Sequence, residues 1–97
     1  MAEGYEPRPN TNYREAPNVF QESYVVTPYN DGSWYIDITN LGLASRPAIV
    51  ILQGESEPLI LQYDYDNSTA IQVKIFIYGT NGAAKTYPVR FGCTIIY

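Results

Sequence analysis

A chain of 97 residues with six Lys/Arg, ten Asp/Glu, no histidine and one cysteine holds one domain, no intrachain disulfide and no histidine-based catalytic dyad or metal site. Its basic residues, Arg8, Arg14, Arg46, Lys74, Lys85 and Arg90, are scattered through a chain of net charge −4, which excludes the concentrated positive patch that nucleic acid or anionic lipid requires. A chain this short buries only about 60–65% of its unfolded surface, so its core gains from a partner surface or self-association.

Residues 1–20 read as an extended arm. Pro7, Pro9 and Pro17 fix φ, remove donors and push each preceding residue to extended geometry, among the polar residues Asn10, Thr11, Asn12 and Asn18. Tyr5 and Tyr13 are spaced as aromatic anchors for neighbouring grooves, and Val19 and Phe20 as the tether of the arm to the domain. The start, Met1–Glu6, has no basic segment followed by an apolar run, so no secretory leader is expected. No apolar run approaches the ~20 residues of a membrane helix.

Residues 21–97 read as a single β-domain. Ser23–Thr27 is rich in β-branched and aromatic residues and forms the first expected strand. Asp31-Gly32 is a two-residue hairpin signal, because both positions tolerate φ > 0. Trp34, Ile36 and Ile38 then alternate with Tyr35, Asp37 and Thr39, the period of a half-buried strand. After a loop through Pro47, Ala48–Leu52 is apolar on both faces, as in a central strand. Gly54–Pro58 is a charged turn, after which Leu59, Leu61, Tyr63 and Tyr65 alternate with Ile60, Gln62 and Asp64. Ile71, Val73, Ile75 and Ile77 form the clearest core stripe, and Asn81-Gly82 reads as a second hairpin turn. The last strand puts Tyr87, Val89, Phe91, Cys93, Ile95 and Tyr97 on one side, with Cys93 a buried, inert thiol. No window shows a helical period. The expectation is an all-β fold, an antiparallel sandwich or small barrel of about six strands, whose long C-terminal strand is an edge open to another subunit.

Few constellations carry chemistry. Asp64, Asp66 and Asn67 offer alternating oxygens to a hard cation, but they lack a glycine to let the loop wrap and a downstream glutamate to close a cage. Asp and Asn also end strands in ordinary turns, and Asn67-Ser68-Thr69 is read as such a turn. Glu55 and Glu57 flank Ser56 in a turn bounded by Gly54 and Pro58, a solvated setting for carboxylates and unlike a glycosidase acid/base pair. No hydroxyl or thiol nucleophile has a base beside it, and no cofactor is implied. Ten tyrosines are the compositional feature. Tyr24, Tyr29, Tyr35, Tyr63, Tyr65 and Tyr78 admit core packing, a protein interface or stacking on sugar rings, and Tyr35, Tyr63, Tyr65 and Tyr78 are the set read as an exposed aromatic surface.

The segment Leu61-Gln62-Tyr63-Asp64-Tyr65-Asp66-Asn67-Ser68-Thr69-Ala70, the Asn81-Gly82 turn and the closing Val89-Arg90-Phe91 strand resemble the small β-sandwich modules of bacteriophage virions, found in tail-fibre, baseplate and head-accessory proteins. A short β-domain behind a Pro-rich arm also resembles phage capsid decoration proteins, whose arms lie across neighbouring subunits. The resemblance carries over no functional residue. It implies a non-enzymatic structural protein, made in the bacterial cytoplasm and resident in the virion, bound to other capsid or tail subunits and homo-oligomeric. The alternative is a carbohydrate- or receptor-binding module of a fibre or adhesin, whose partner is a glycan.

Overall fold

A computed structural model describes residues 18–97. The arm anchors Tyr5 and Tyr13 lie outside the described residues. The elements in chain order are β1 (Val19–Val26), β2 (Ser33–Asp37), a 3-10 turn (Thr39–Leu41), β3 (Ile49–Gly54), β4 (Leu59–Tyr63), a second 3-10 turn (Tyr65–Asn67), β5 (Gln72–Gly79) and β6 (Val89–Ile96). They form two three-stranded antiparallel sheets, sheet A in the order β1-β6-β3 and sheet B in the order β2-β5-β4. The all-β class and the six strands are those expected from the alternation.

The core lies between the sheets and comes mainly from the two central strands. Val73, Ile75 and Ile77 of β5 face Val89, Phe91, Cys93 and Ile95 of β6, joined by Ile36 and Ile38, all essentially without solvent exposure. β-branched side chains are stiff and fit a pleated sheet, and each contributes about 2 kcal/mol on burial. Tyr24 of β1 stacks on Phe91 with centroids 5.6 Å apart, closing the core beside an edge strand. Ile71, Tyr87 and Tyr97 continue these stripes in sequence but, just outside the ends of β5 and β6, are exposed.

Several expectations are corrected. Val19 and Phe20 are the first residues of β1, which begins earlier than Ser23, and Phe20 packs against the core. The Asn18 amide donates to the Tyr97 carbonyl at 2.8 Å and that of Tyr97 to the Asn18 carbonyl at 2.9 Å, extending the β1–β6 ladder. β6 is the centre of its sheet, so the C-terminal strand is not an edge. β3 is an edge, although Ala48–Leu52 is apolar on both faces. A second buried face needs a third layer, and the described residues form only two.

The glycine turns also differ from expectation. Gly32 (φ 84°) and Gly82 (φ 85°) adopt the left-handed backbone that their turns require. Yet β1 and β2, like β5 and β6, lie in different sheets, so neither turn joins paired strands. Each carries the chain across the sandwich. After Gly82 a single bridge, Tyr78–Ala84, is all that remains of the expected hairpin. The hairpin that does form is β4–β5, whose connection contains no glycine.

Candidate functional site

The register of sheet B decides which side chains share its outer face. Tyr35 of β2 stands opposite Lys74 of β5; Ser33, Phe76 and Gln62 form one row across the three strands, and Tyr78 stands opposite Ile60 of β4. Alternation makes this the face that points away from Val73, Ile75 and Ile77. The result is an aromatic surface. The Phe76 and Tyr78 rings lie nearly parallel, 6.0 Å apart with 3° between planes. At the edge of β2, Tyr29 stacks at 5.4 Å on Trp34, which stands opposite Ile75 and packs against the core, and leans on Tyr35 of the outer face at 6.3 Å.

The Lys74 ammonium sits among these rings, 5.1 Å from the Phe76 centroid and 5.8 Å from that of Tyr35. Its carboxylate partner is Asp64, at 3.9 Å. The ring of Tyr78 lies over Gly32, where a Cβ would stand 3.1 Å from Tyr78 Cε1, and the Tyr78 hydroxyl donates to the Asp31 carbonyl at 3.3 Å. A shallow groove of about 400 Å³ opens at the β4 end of this face, between Gln62, Tyr63, Asp64, Tyr65, Asp66 and Phe76.

The four tyrosines read as one exposed set therefore separate into two places. Tyr35 and Tyr78 share the outer face. Tyr63 points inward at the end of β4, where burial raises the pKa of its hydroxyl, and it donates to the Pro47 carbonyl at 2.7 Å. Tyr65, beyond the strand, is exposed, meets Tyr63 edge-on at 6.0 Å and carries the Arg46 guanidinium 4.7 Å above its ring. Phe76, Lys74 and Tyr29 complete the surface without having been singled out as part of it. The signal was present in β5: Lys74, Phe76 and Tyr78 alternate with the core stripe, so fixing one face fixes the other.

Two of the three cation candidates, Asp64 and Asn67, are turned toward protein partners, and Asp66 is exposed. Asn67 directs its side-chain amide to Asp64 Oδ2 at 2.9 Å, the oxygen that Lys74 also approaches, and Ser68 donates to the Asp64 carbonyl at 2.7 Å. Among the described residues, no three His, Cys, Asp or Glu side chains gather as a metal site would require.

Glu55 and Glu57 are each ion-paired, and to different cations. Glu55 Oε1 is 3.4 Å from Arg90 Nε, and its Oε2 accepts from the Ser23 hydroxyl at 3.1 Å on the outer face of sheet A. Glu57 Oε1 is 3.2 Å from Lys85 and accepts from Tyr87 at the same distance. The two carboxylates therefore do not converge on a common substrate position. Cys93 is buried, and desolvation pushes its thiol up to about 11, so it stays protonated and poorly nucleophilic at neutral pH.

No protein-family model, no curated protein and no solved structure matches the chain. Rings beside an ammonium and an amide can stack on a flat apolar group and hydrogen-bond at its rim. Among the described residues, no helix is long and apolar enough to cross a membrane.

Proposed function

We propose that the chain is a non-enzymatic assembly protein of a bacteriophage particle, a capsid-decoration or head–tail accessory subunit that docks on other virion proteins. The observation that supports docking is the exposure of large apolar side chains on both outer faces of the sandwich. Val19, Val25, Ile49 and Ile51 lie bare on sheet A, and Tyr35 and Ile60 on sheet B. Val19 and Ile49 flank Ile96 in one row across sheet A, with Ile51 beside them on β3, and exposed apolar side chains grouped in this way favour an interface. The phage setting rests on the resemblance of residues 61–70 and of the closing strand to virion β-modules.

Mass spectrometry of washed particles from the encoding phage tests the reading: many copies per particle are expected, and absence from them overturns it. A chain lacking residues 1–18 should still give the dispersed spectrum of a folded β-domain and fail to enter particles. Normal incorporation would remove the arm from the docking surface.

A second reading, a glycan- or receptor-binding module, draws on one feature. The parallel Phe76 and Tyr78 rings lie beside Gln62 and Lys74, a pairing of stacking surface with rim donors. Under that reading Phe76→Ser abolishes binding in a glycan titration, and a chain with no measurable affinity for any glycan removes it.

A further inference from the structure

The four edge strands of the sandwich are not alike. β1 carries Glu22 and β2 carries Asp37, whereas β3 (Ile49–Gly54) and β4 (Leu59–Tyr63) contain no charged residue in a chain of net charge −4. Natural sheets keep exposed edges from pairing with charges, prolines or bulges. β3 has none of these devices, and its register with β6 runs without a bulge from Ile49↔Ile96 to Gly54↔Phe91. Its outer face also presents Ile49 and Ile51, 48% and 53% exposed.

The hydrogen-bond phase of β3 follows from one contact. The Glu55 amide donates to the Arg90 carbonyl at 2.9 Å in that same register, so residues of odd number turn their backbone groups toward β6. Val50 and Leu52 therefore direct N–H and C=O outward, and among the described residues no backbone group meets them.

We infer that β3 pairs antiparallel with β3 of a second copy about a two-fold axis, joining two A sheets into one continuous sheet. An isologous contact of this kind closes on itself and yields a dimer. With Val50 opposite Val50 of the second copy, Ile49 stands opposite Ile51, apolar against apolar, on the outer face, and about six backbone hydrogen bonds form. The dimer deepens the assembly reading by naming one docking partner, and it rests on that reading only for its biological setting.

Sedimentation of the full chain over a range of concentrations, combined with amide exchange, tests the pairing. The expected result is a dimer in which the Val50 and Leu52 amides slow as the dimer forms, while those of Ile49 and Ile51, already bonded to β6, do not change. Ile51→Lys, at an exposed position, should keep cooperative melting and weaken the dimer by about tenfold or more, since both apolar cross-strand pairs are lost. A monomer at every concentration overturns the proposal, as does a dimer in which Val50 and Leu52 exchange freely, or a variant that dimerises as tightly as the parent. Absence from virions with an intact dimer would instead remove the phage assignment alone.

Discussion

The Glu55 carboxylate occupies the space above Gly92 that a side chain there would fill: a Cβ on Gly92 would lie 2.7 Å from Glu55 Oε2. A missing side chain in the central strand of sheet A thus lets a carboxylate cross the sheet surface to Ser23 on the far strand, while Arg90 holds its other oxygen.

That relationship gives a contrast between two glycines. Gly92→Ala displaces only the end of a flexible side chain, and the relief of glycine's chain entropy offsets the loss of exposed contacts, so stability should change by less than about 1 kcal/mol. Gly32→Ala meets backbone instead: its Cβ would stand 3.0 Å from the Ile77 carbonyl oxygen at φ +84°. Here the expected loss is about 2 kcal/mol. Urea unfolding of both variants measures the difference, and equal midpoints would contradict it.

Ile75 has no solvent exposure and lies in the middle of β5, opposite Trp34 on one side and Tyr63 on the other. Ile75→Asp places an unpaired carboxylate between the sheets, a cost of more than about 3 kcal/mol in a domain with little stability to lose. The expected outcome is loss of the cooperative melting transition in circular dichroism; an unchanged melt would mean that this stripe does not face the core.

Acid should weaken the fold through two aspartates. Asp31 accepts from the Ser33 hydroxyl at 2.6 Å and the Ser33 amide at 2.9 Å, and Asp37 accepts from the Thr39 hydroxyl and amide at the same distances. In each case the side-chain bond first, then the backbone bond, holds the carboxyl below the usual aspartate range. A pKa lower in the folded than in the unfolded state contributes stability above the unfolded value, and that contribution is lost as pH falls through the folded one. The melting temperature should therefore fall below about pH 4, and the fall should be smaller in the Asp31→Asn/Asp37→Asn double variant.

Cys93 should be silent until the chain unfolds. With its thiol buried and its pKa pushed up to about 11, the native protein should not react with a thiol reagent at pH 7.5 on a timescale of minutes, and labelling should track unfolding in denaturant. Rapid labelling of the native chain would show the sheets opening locally at β6.

Local chemistry by itself determined a good deal of this protein. Period-two alternation in β5 and β6 fixes which side chains can share a face, because successive residues of a strand must point to opposite sides. Val73, Ile75 and Ile77, with Phe91, Cys93 and Ile95, were legible as core for that reason, and the same count assigns Lys74, Phe76 and Tyr78 to the other side. The left-handed turns at Gly32 and Gly82 were equally local.

Which strands pair was decided only by the tertiary structure. A turn sets the direction of the next strand but not its partner, so Asp31-Gly32 and Asn81-Gly82 lead across the sandwich, whereas the glycine-free link between β4 and β5 closes a hairpin. Whether an apolar run is central or an edge depends on what covers it, and only the packed sheets show Ile49 and Ile51 left bare on β3. The aromatic surface follows the same logic. Phe76 and Tyr78 share a face by alternation within β5, but Tyr35 comes from a distant part of the chain, and strand register, a property of the assembled sheet, is what sets it beside them while Tyr63 of β4 falls opposite Ile75 and points inward.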